Sequence, residues 1–429
     1  MQLGESIHVT QEFPLARLNV VRYLHEELGF DVLALEGSSL AAWLAADHLR
    51  TSSDSDVAKA TRAQQLAWFA LWQTEPMLKL MDYILSTQKT AHPLYLASFD
   101  IQPGTSRAFG GSPTAALQAF YAAVGSYAPE SVKPESEQQW TKALLPFLNC
   151  YKDRSPRNPL MKTDAERATN SIETWLESIV PVVTRQTSAA HAQALLLVPS
   201  TLKQDIALCE AVTAPNAPPS AYTETRDQLN AQNVLTLRQS ISANHRVIVW
   251  AHHSHITYNS SGTNIASMGQ HLHHAAGNEL YTIGLFAGRG SATQVDDSSL
   301  LPVVPRKLRP LSFYPVENGL ANLSQGDFFV DFLSAAQPPS WWSRPAYSRL
   351  ETKGAQKTVL AKDYDAAIFL HTVHPADLTF MPPLIRRGLW LCGFFLDNLW
   401  IWISLALLAI LFAARKFFRN PSSPPAKAR

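Results

Sequence analysis

The chain has 429 residues, 46% of them hydrophobic and 17% charged, and its 36 basic and 35 acidic side chains leave a net charge of +1. That length fits two to three ordinary domains or one large α/β unit, and the apolar content excludes a largely disordered protein. The balanced charge gives no support for a polyanion partner, so nucleic acid is not expected.

The first motif is LGESIHVTQEF, with Glu5 three residues before His8. A carboxylate at that spacing can orient an imidazole and raise its basicity, as in hydrolases, although such pairs are also common on solvated loops. The motif reads as the sequel to a strand with only Met1-Gln2-Leu3 ahead of it. No apolar leader opens the chain, which favours a start codon lying upstream. Residues Glu12–Leu28 then carry apolar groups at Phe13, Leu18, Val21, Leu24 and Leu28, a helical period closed by Gly29. Phe30–Glu36 (FDVLALE) is a short apolar run, and a helix feeding a strand in this way predicts an α/β fold with a mainly parallel sheet flanked by helices.

Further strands are predicted at Pro93–Asp100, Arg246–His252, Leu280–Ala287 and Ala366–His371, each a compact apolar run suited to burial on both faces. Several end on an ionisable residue: Glu36, Asp100, His252 and His371. Ligands sit at the carboxyl ends of such strands, so these groups are expected to converge on one site. Residues 105–240 are rich in helical segments punctuated by proline and read as a helical insertion or cap.

The strand Arg246–His252 runs into WAHHSHI, which holds His252, His253 and His255. Three imidazoles this close can serve as metal ligands, general acid–base groups or oxyanion partners, or they can simply cap the strand. Their spacing does not specify zinc, and HExxH is absent. A second group, His271, His273 and His274, falls on a predicted helix and reads as its solvated face. The three cysteines (Cys150, Cys209, Cys392) are odd in number and far apart, which excludes a disulfide scaffold and a cysteine-based zinc site. Residues 300–345 are proline-rich and read as connecting structure over the surface.

The end of the chain carries a strong apolar signal. Leu399–Ala414 contains no charge, and Gly388–Leu396 ahead of it is apolar too. Together they exceed the roughly 20 residues a helix needs to cross a bilayer. Trp390, Trp400 and Trp402 stand at one end, with Arg415, Lys416 and Arg419 at the other, as membrane interfaces favour. A single transmembrane helix is therefore predicted over 388–414, with the lipid bilayer as a partner and a disordered basic tail over 415–429. The charge bias puts the tail in the cytoplasm and the large domain outside, whereas the missing leader would leave the domain facing the cytosol.

There is no Gly-x-Ser-x-Gly nucleophile elbow and no glycine-rich phosphate loop, so an ordinary α/β-hydrolase or a nucleotide enzyme is not expected. The order of motifs resembles the erythromycin esterase family. The matching segments are LGESIH with Arg17, EELGFDVLALEG (Glu26–Gly37), WFALWQTEPM (Trp68–Met77), LASFDIQ (Leu96–Gln102), RDQLNAQN (Arg226–Asn233), VIVWAHHSH (Val247–His255), MGQHLHH, LYTIGLFAGRG and DYDAAIFLHTV (Asp363–Val373). The resemblance implies one esterase-like domain over 1–376 and a cleft formed by Glu5, His8, Arg17, Glu36, His252 and His255. It implies that His8 acts as general base on water, without a covalent acyl-enzyme, on an ester such as a macrolide lactone, with a possible part in the response to antibiotic.

In that reading Glu5 orients His8, Arg17 and one of His252/His255 bind the oxyanion, and Glu36 holds Arg17 or positions water, with no cofactor and no metal. A metal-dependent hydrolase using His8, His252 and His255, and a non-catalytic membrane-tethered binding protein, are the alternatives. Val9 stands where the family usually has glycine, His253 where it has asparagine, and Asn230 where it has methionine.

Overall fold

The computed structural model describes the chain except residues 68–71, 103–106, 110–111, 132, 149, 151–154, 156, 260–264, 296–302, 380–383, 386, 389–390, 392–394, 396–397, 400–402 and 405–429. Strand β1 (Gln2–Glu5) leads through helix α1 (Glu12–Glu26) to β2 (Val32–Ser38), with the chain reversing at Gly29, whose φ of 67° is the left-handed value glycine adopts freely. Helices α2 (Ser39–Thr51), α3 (Asp56–Ala67) and α4 (Glu75–Thr87) precede β3 (Tyr95–Asp100). Six helices follow: α5 (Pro113–Gly125), α6 (Pro134–Leu144), α7 (Pro159–Gln186), α8 (Ala189–Ala194), α9 (Leu197–Thr213) and α10 (Ala221–Ser240). The chain returns to the sheet as β4 (Val247–His252), followed by the single turn α11 (His253–Ile256), α12 (Met268–Ala276) and β5 (Thr282–Val295). Then come β6 (Val303–Lys307), α13 (Pro315–Ala321), β7 (Phe328–Asp331), the pair β8 (Ala346–Leu350) and β9 (Gly354–Thr358), and β10 (Ala366–Val373).

The main sheet has the order β3-β2-β4-β1-β5-β10-β7. The first six strands are parallel, and β7 closes the edge antiparallel to β10. The apolar runs read from the sequence fall in five of the parallel strands, β2, β3, β4, β5 and β10. β2, β3 and β4 are buried along their length, as two-faced coverage requires. Each fully buried Leu, Ile or Val side chain contributes roughly 1.5–3 kcal/mol. The short β1 lies at the centre, with Glu5 opposite His252 on one side and Leu285 on the other. The chain builds β2 and β3 on one flank, inserts β4 beside β1, then builds β5 and β10 on the other flank. That reversal opens a crevice at the carboxyl ends of β1 and β4.

Two expectations change. The segment 300–345 is not only connection: it contributes β6, antiparallel to the far half of β5, and the edge strand β7. Proline masked this, yet Pro305 fits β6 because that strand pairs along one side only, where a missing N–H is tolerated. Cys150 and Cys209, 59 residues apart, form a disulfide with Cα atoms 5.7 Å apart, tying the stretch after α6 to α9. Spacing alone did not reveal this single bridge. Most of the predicted membrane span, and all of the basic tail, lie outside the described residues. Among the described residues no helix is long and apolar enough to cross a membrane.

Candidate active site

Glu5 ends β1 and is buried, and its loop brings His8 back over it. His8 Nδ1 lies 2.7 Å from Glu5 Oε1, and Arg17, on α1, pairs with Glu5 Oε2. Arg17 is fully buried, with its guanidinium 4.2 Å from the Trp250 ring and 5.7 Å from Trp72. It therefore anchors Glu5 from beneath rather than facing the crevice. The same Trp72 meets the His8 ring edge-on at 4.9 Å.

His252 stands at the end of the neighbouring β4, with its ring centroid 4.5 Å from that of His8. Its backbone N–H donates to Glu36 Oε2 at 3.0 Å, and its Nδ1 lies 2.9 Å from Ser254 Oγ. His255 is one turn further, on α11, and faces a different set of groups. Its Nδ1 is 2.6 Å from Asp227 Oδ1 and its Nε2 is 3.3 Å from Glu36 Oε1. His253 points the opposite way: its Nε2 accepts the Leu285 N–H at 3.0 Å, and its ring packs on Phe286 and Tyr364. Burial holds it well below its usual pKa, as a neutral core residue. A Cβ on Gly4 would stand 2.1 Å from Ile256 Cδ1 and 2.8 Å from His253 Cδ2, so only glycine lets α11 close onto β1.

Four further residues complete the site: Arg226, Asp227 and Asn230, which the sequence offered only within the matched Arg226–Asn233 segment and without a role, and Glu351, which nothing in the sequence singled out. Arg226 of α10 donates to Asp100 through Nε (3.0 Å) and through a second nitrogen (2.5 Å), which also reaches Glu36 Oε1 at 3.2 Å. Asp227 is the partner of His255 noted above. Asn230, one turn along α10, donates to Asp100 at 3.3 Å and accepts from Ile101 N–H at 3.2 Å. The helical spacing of Arg226, Asn230 and Asn233 was the signal available for this face. The fourth residue is Glu351, at the turn between β8 and β9. Its Oε1 lies 3.2 Å from His252 Nε2 and 3.7 Å from His8 Nε2, and its N–H donates to Ser6 O at 2.8 Å. No local pattern marks it, because it reaches the site only through tertiary folding.

His371, expected to join the others, does not. It lies on β10 near the sheet edge, where its N–H donates to Asp327 and its Nε2 contacts Ser324 O. His273, on α12, stacks on Tyr258 at 4.2 Å, and His274 is exposed.

Val9 and Glu351 flank the site with φ of 54° and 59°, left-handed values that cost a non-glycine residue about 1–3 kcal/mol. At position 9 the glycine usual in the resemblance would carry no such strain. The Val9 carbonyl is nonetheless fixed by Ala376 N–H at 3.1 Å and Thr293 N–H at 3.3 Å.

Charge within the cluster sets protonation. Burial pushes the His8 imidazole down, but the Glu351 and Glu5 carboxylates outweigh it and raise the pKa to about 9. Burial pushes Glu36 up, yet His255 and Arg226 hold it well below the usual carboxylate range. Burial lowers Arg17 to about 10, with Glu5 opposing the shift. For His255, burial again lowers, but Asp227 and Glu36 carry it up to about 10. A histidine whose folded pKa lies above its unfolded value stabilises fully below about pH 6.5, and the gain disappears as pH rises through the folded value. His255→Gln is therefore expected to destabilise most below about pH 6.5, with the gap to the wild type closing between about 6.5 and 10. Denaturant unfolding over that range checks it; a gap that widens with pH would contradict the assignment.

Among the described residues, His8, His252 and Glu351 also form a group able to hold a metal ion: one donor atom from each lies within 4.8 Å of the others. His255, included in the ligand set weighed from the sequence, instead has its Nε2 on Glu36 and Arg226.

The family model for erythromycin esterase matches residues 25–373. The chain belongs to the erythromycin esterase family. The match begins beyond Glu5, His8 and Arg17, and it is the pairing of β1 between β4 and β5 that brings Glu5 and its loop beside His252. Among curated relatives, the Bacillus subtilis protein YbfO, provisionally named a hydrolase, is 23% identical over 400 residues, covering 88% of this chain and 84% of its own. A solved Bacillus cereus structure superposes with a TM-score of 0.66 at 18% identity, covering 88% of this chain and 89% of that one. An erythromycin esterase EreC variant in its open conformation superposes at 0.56 with 16% identity, over 89% of this chain and 92% of that one. A structure titled as a succinoglycan biosynthesis protein reaches 0.67 at 14% identity, over 88% of each chain. At these identities the structures show a common fold.

Proposed function

We propose that this protein is a carboxylic ester hydrolase in which water, activated between His8 and His252, attacks the ester or lactone carbonyl directly. The observation carrying this reading is the convergence of the two imidazoles at the carboxyl ends of adjacent strands, with Glu5 fixing His8 through Nδ1. Nε2 of His8 is then the atom that takes the proton from water. At rest Glu351 and Glu5 keep His8 protonated, so that nitrogen must shed its proton before it acts. Arg17 holds Glu5, and Glu36 holds the His252 backbone and Arg226. His252, buried, is positioned to donate to the developing oxyanion, a contact worth several kcal/mol in such sites.

Lactones of the macrolide class are the first substrates to try, given the family, and resistance to such an antibiotic is the corresponding biological role. The apolar segment 388–414 is the proposed membrane anchor. The Cys150–Cys209 bridge favours an oxidising compartment for the domain, in keeping with the basic tail on the cytoplasmic side. A panel of macrolides and simple esters tests the reading. Hydrolysis of at least one by the full chain is expected, and no hydrolysis across the panel would favour a binding protein on the same scaffold.

A further inference from the structure

The pocket contains more than proton-transfer groups. The two Nε2 atoms and Glu351 Oε1 come from three separate parts of the chain: the loop after β1, the end of β4 and the β8–β9 turn. We propose that His8 Nε2, His252 Nε2 and Glu351 Oε1 form a three-ligand site for a divalent transition ion of the zinc class. The inference rests on the reading that this pocket activates water, and it assigns that activation to the ion.

Two of the three separations are close to those on a tetrahedral ion, and the third, between the two imidazole nitrogens, is within 4.8 Å and closes by a small shift of the His8 loop. Ligand atoms on a tetrahedral ion with bonds of about 2.0–2.1 Å stand roughly 3.3 Å apart. Glu351 Oε1 lies 3.2 Å from one imidazole nitrogen and 3.7 Å from the other. The carboxylate–His252 geometry is not that of a hydrogen bond: His252 Nε2 is buried without a hydrogen-bond partner, in a residue only 6% exposed. A buried ring nitrogen that sits 3.2 Å from a carboxylate outside hydrogen-bond geometry, with a second imidazole beside it, is matched by a cation held between the three groups.

The outer contacts fit as well. A ligating histidine usually gives its other ring nitrogen to a carboxylate, hydroxyl or carbonyl, which fixes the ring and its tautomer. His8 Nδ1 is on Glu5, itself held by Arg17, and His252 Nδ1 is on Ser254 Oγ. Glu351 is fixed by its backbone bond to Ser6 O and by the left-handed turn at φ 59°. Behind it, Glu317 accepts from Ser348 Oγ and from Arg349 N–H, both at 2.8 Å, which secures β8. Two imidazoles and one carboxylate suit zinc, cobalt or iron rather than calcium or magnesium. Three protein ligands leave a position for water, the arrangement of catalytic rather than structural ions.

In this state the ion takes the place of the proton on His8 Nε2. Bound water gives up a proton to solvent, and its oxygen forms a bond to the carbonyl carbon. The carbon–oxygen bond to the alcohol breaks, and the departing alkoxide takes up a proton. The sum is ester plus water to acid plus alcohol.

The test is titration of the full, chelator-stripped chain with Co2+, followed by visible absorption and calorimetry, with Zn2+ as competitor. One ion per chain with a tetrahedral cobalt spectrum is expected, lost in Glu351→Ala and His252→Ala, with Glu5→Gln weakening affinity about 10–100-fold. Near-ultraviolet circular dichroism confirms that each variant is folded, and Ser254→Ala provides a milder perturbation of the same site if one is not. Binding that persists unchanged in Glu351→Ala, no binding at all, or full hydrolysis after exhaustive chelation would each overturn the site. Full hydrolysis without an ion leaves the hydrolase reading standing, whereas an ion bound without hydrolysis of any ester removes that reading and keeps the site.

Discussion

Replacing His8 by alanine is expected to lower ester turnover by at least about 100-fold, the scale for losing a proton-transfer group. In the proposed mechanism His8 acts on the reacting water rather than on remote parts of a substrate, so the loss should fall on kcat. The fold should survive. His8 sits on a loop with 21% of its side chain exposed, and its buried partner Glu5 remains paired with Arg17. Initial rates on the best ester of the panel, at matched circular dichroism, check this. Unchanged turnover in the variant would move the chemistry away from this pocket.

Arg226→Met should have the largest effect on stability, a loss of about 3–5 kcal/mol. The guanidinium joins Asp100, which is fully buried, to Glu36, and through Glu36 to the His252 backbone and His255. Burial alone would depress the arginine, but Asp100 and Glu36 hold its pKa well above the ordinary value, so the cation is fixed by carboxylates on two strands. Removing one member of such a group leaves the others charged and desolvated, which is why the cost exceeds that of a surface pair. Pairing Arg226→Met with Asp100→Leu should recover part of the loss, because the second change removes the stranded charge. Equilibrium denaturation measures both, and a single-variant loss below about 1 kcal/mol would show that solvent reaches the network.

The inner sheet was legible because a strand buried on both faces must be apolar along its length. Val247–Ala251 and Leu33–Leu35 could hardly lie elsewhere than between two helical layers. Glu36, Asp100 and His252 were legible as ionisable groups at strand ends, and Glu5 and His8 as a carboxylate–imidazole pair after a strand, whereas His371 met the strand-end criterion and lies elsewhere. His253 and His255 were not separable from His252 by spacing, because α11 is a single turn and sends three neighbouring side chains to three environments. Arg17 could be identified but not oriented; only the packing of α1 shows that it lies under Trp250 with no exposed surface. Glu351 was out of reach. It owes its place to a hairpin turn more than 340 residues from His8, and nothing in Leu350-Glu351-Thr352 distinguishes that glutamate from a solvated one. β6 and β7 were hidden by the prolines and polar residues that edge strands tolerate.

The central claim is that water itself attacks the ester carbonyl, with no covalent intermediate on the chain. Intact mass recorded during the first turnover of a chromogenic ester tests it most directly. The account predicts an unmodified chain mass at every time point and alcohol release without a burst. A chain heavier by the acyl group, or a burst of alcohol matching the enzyme concentration, would contradict it.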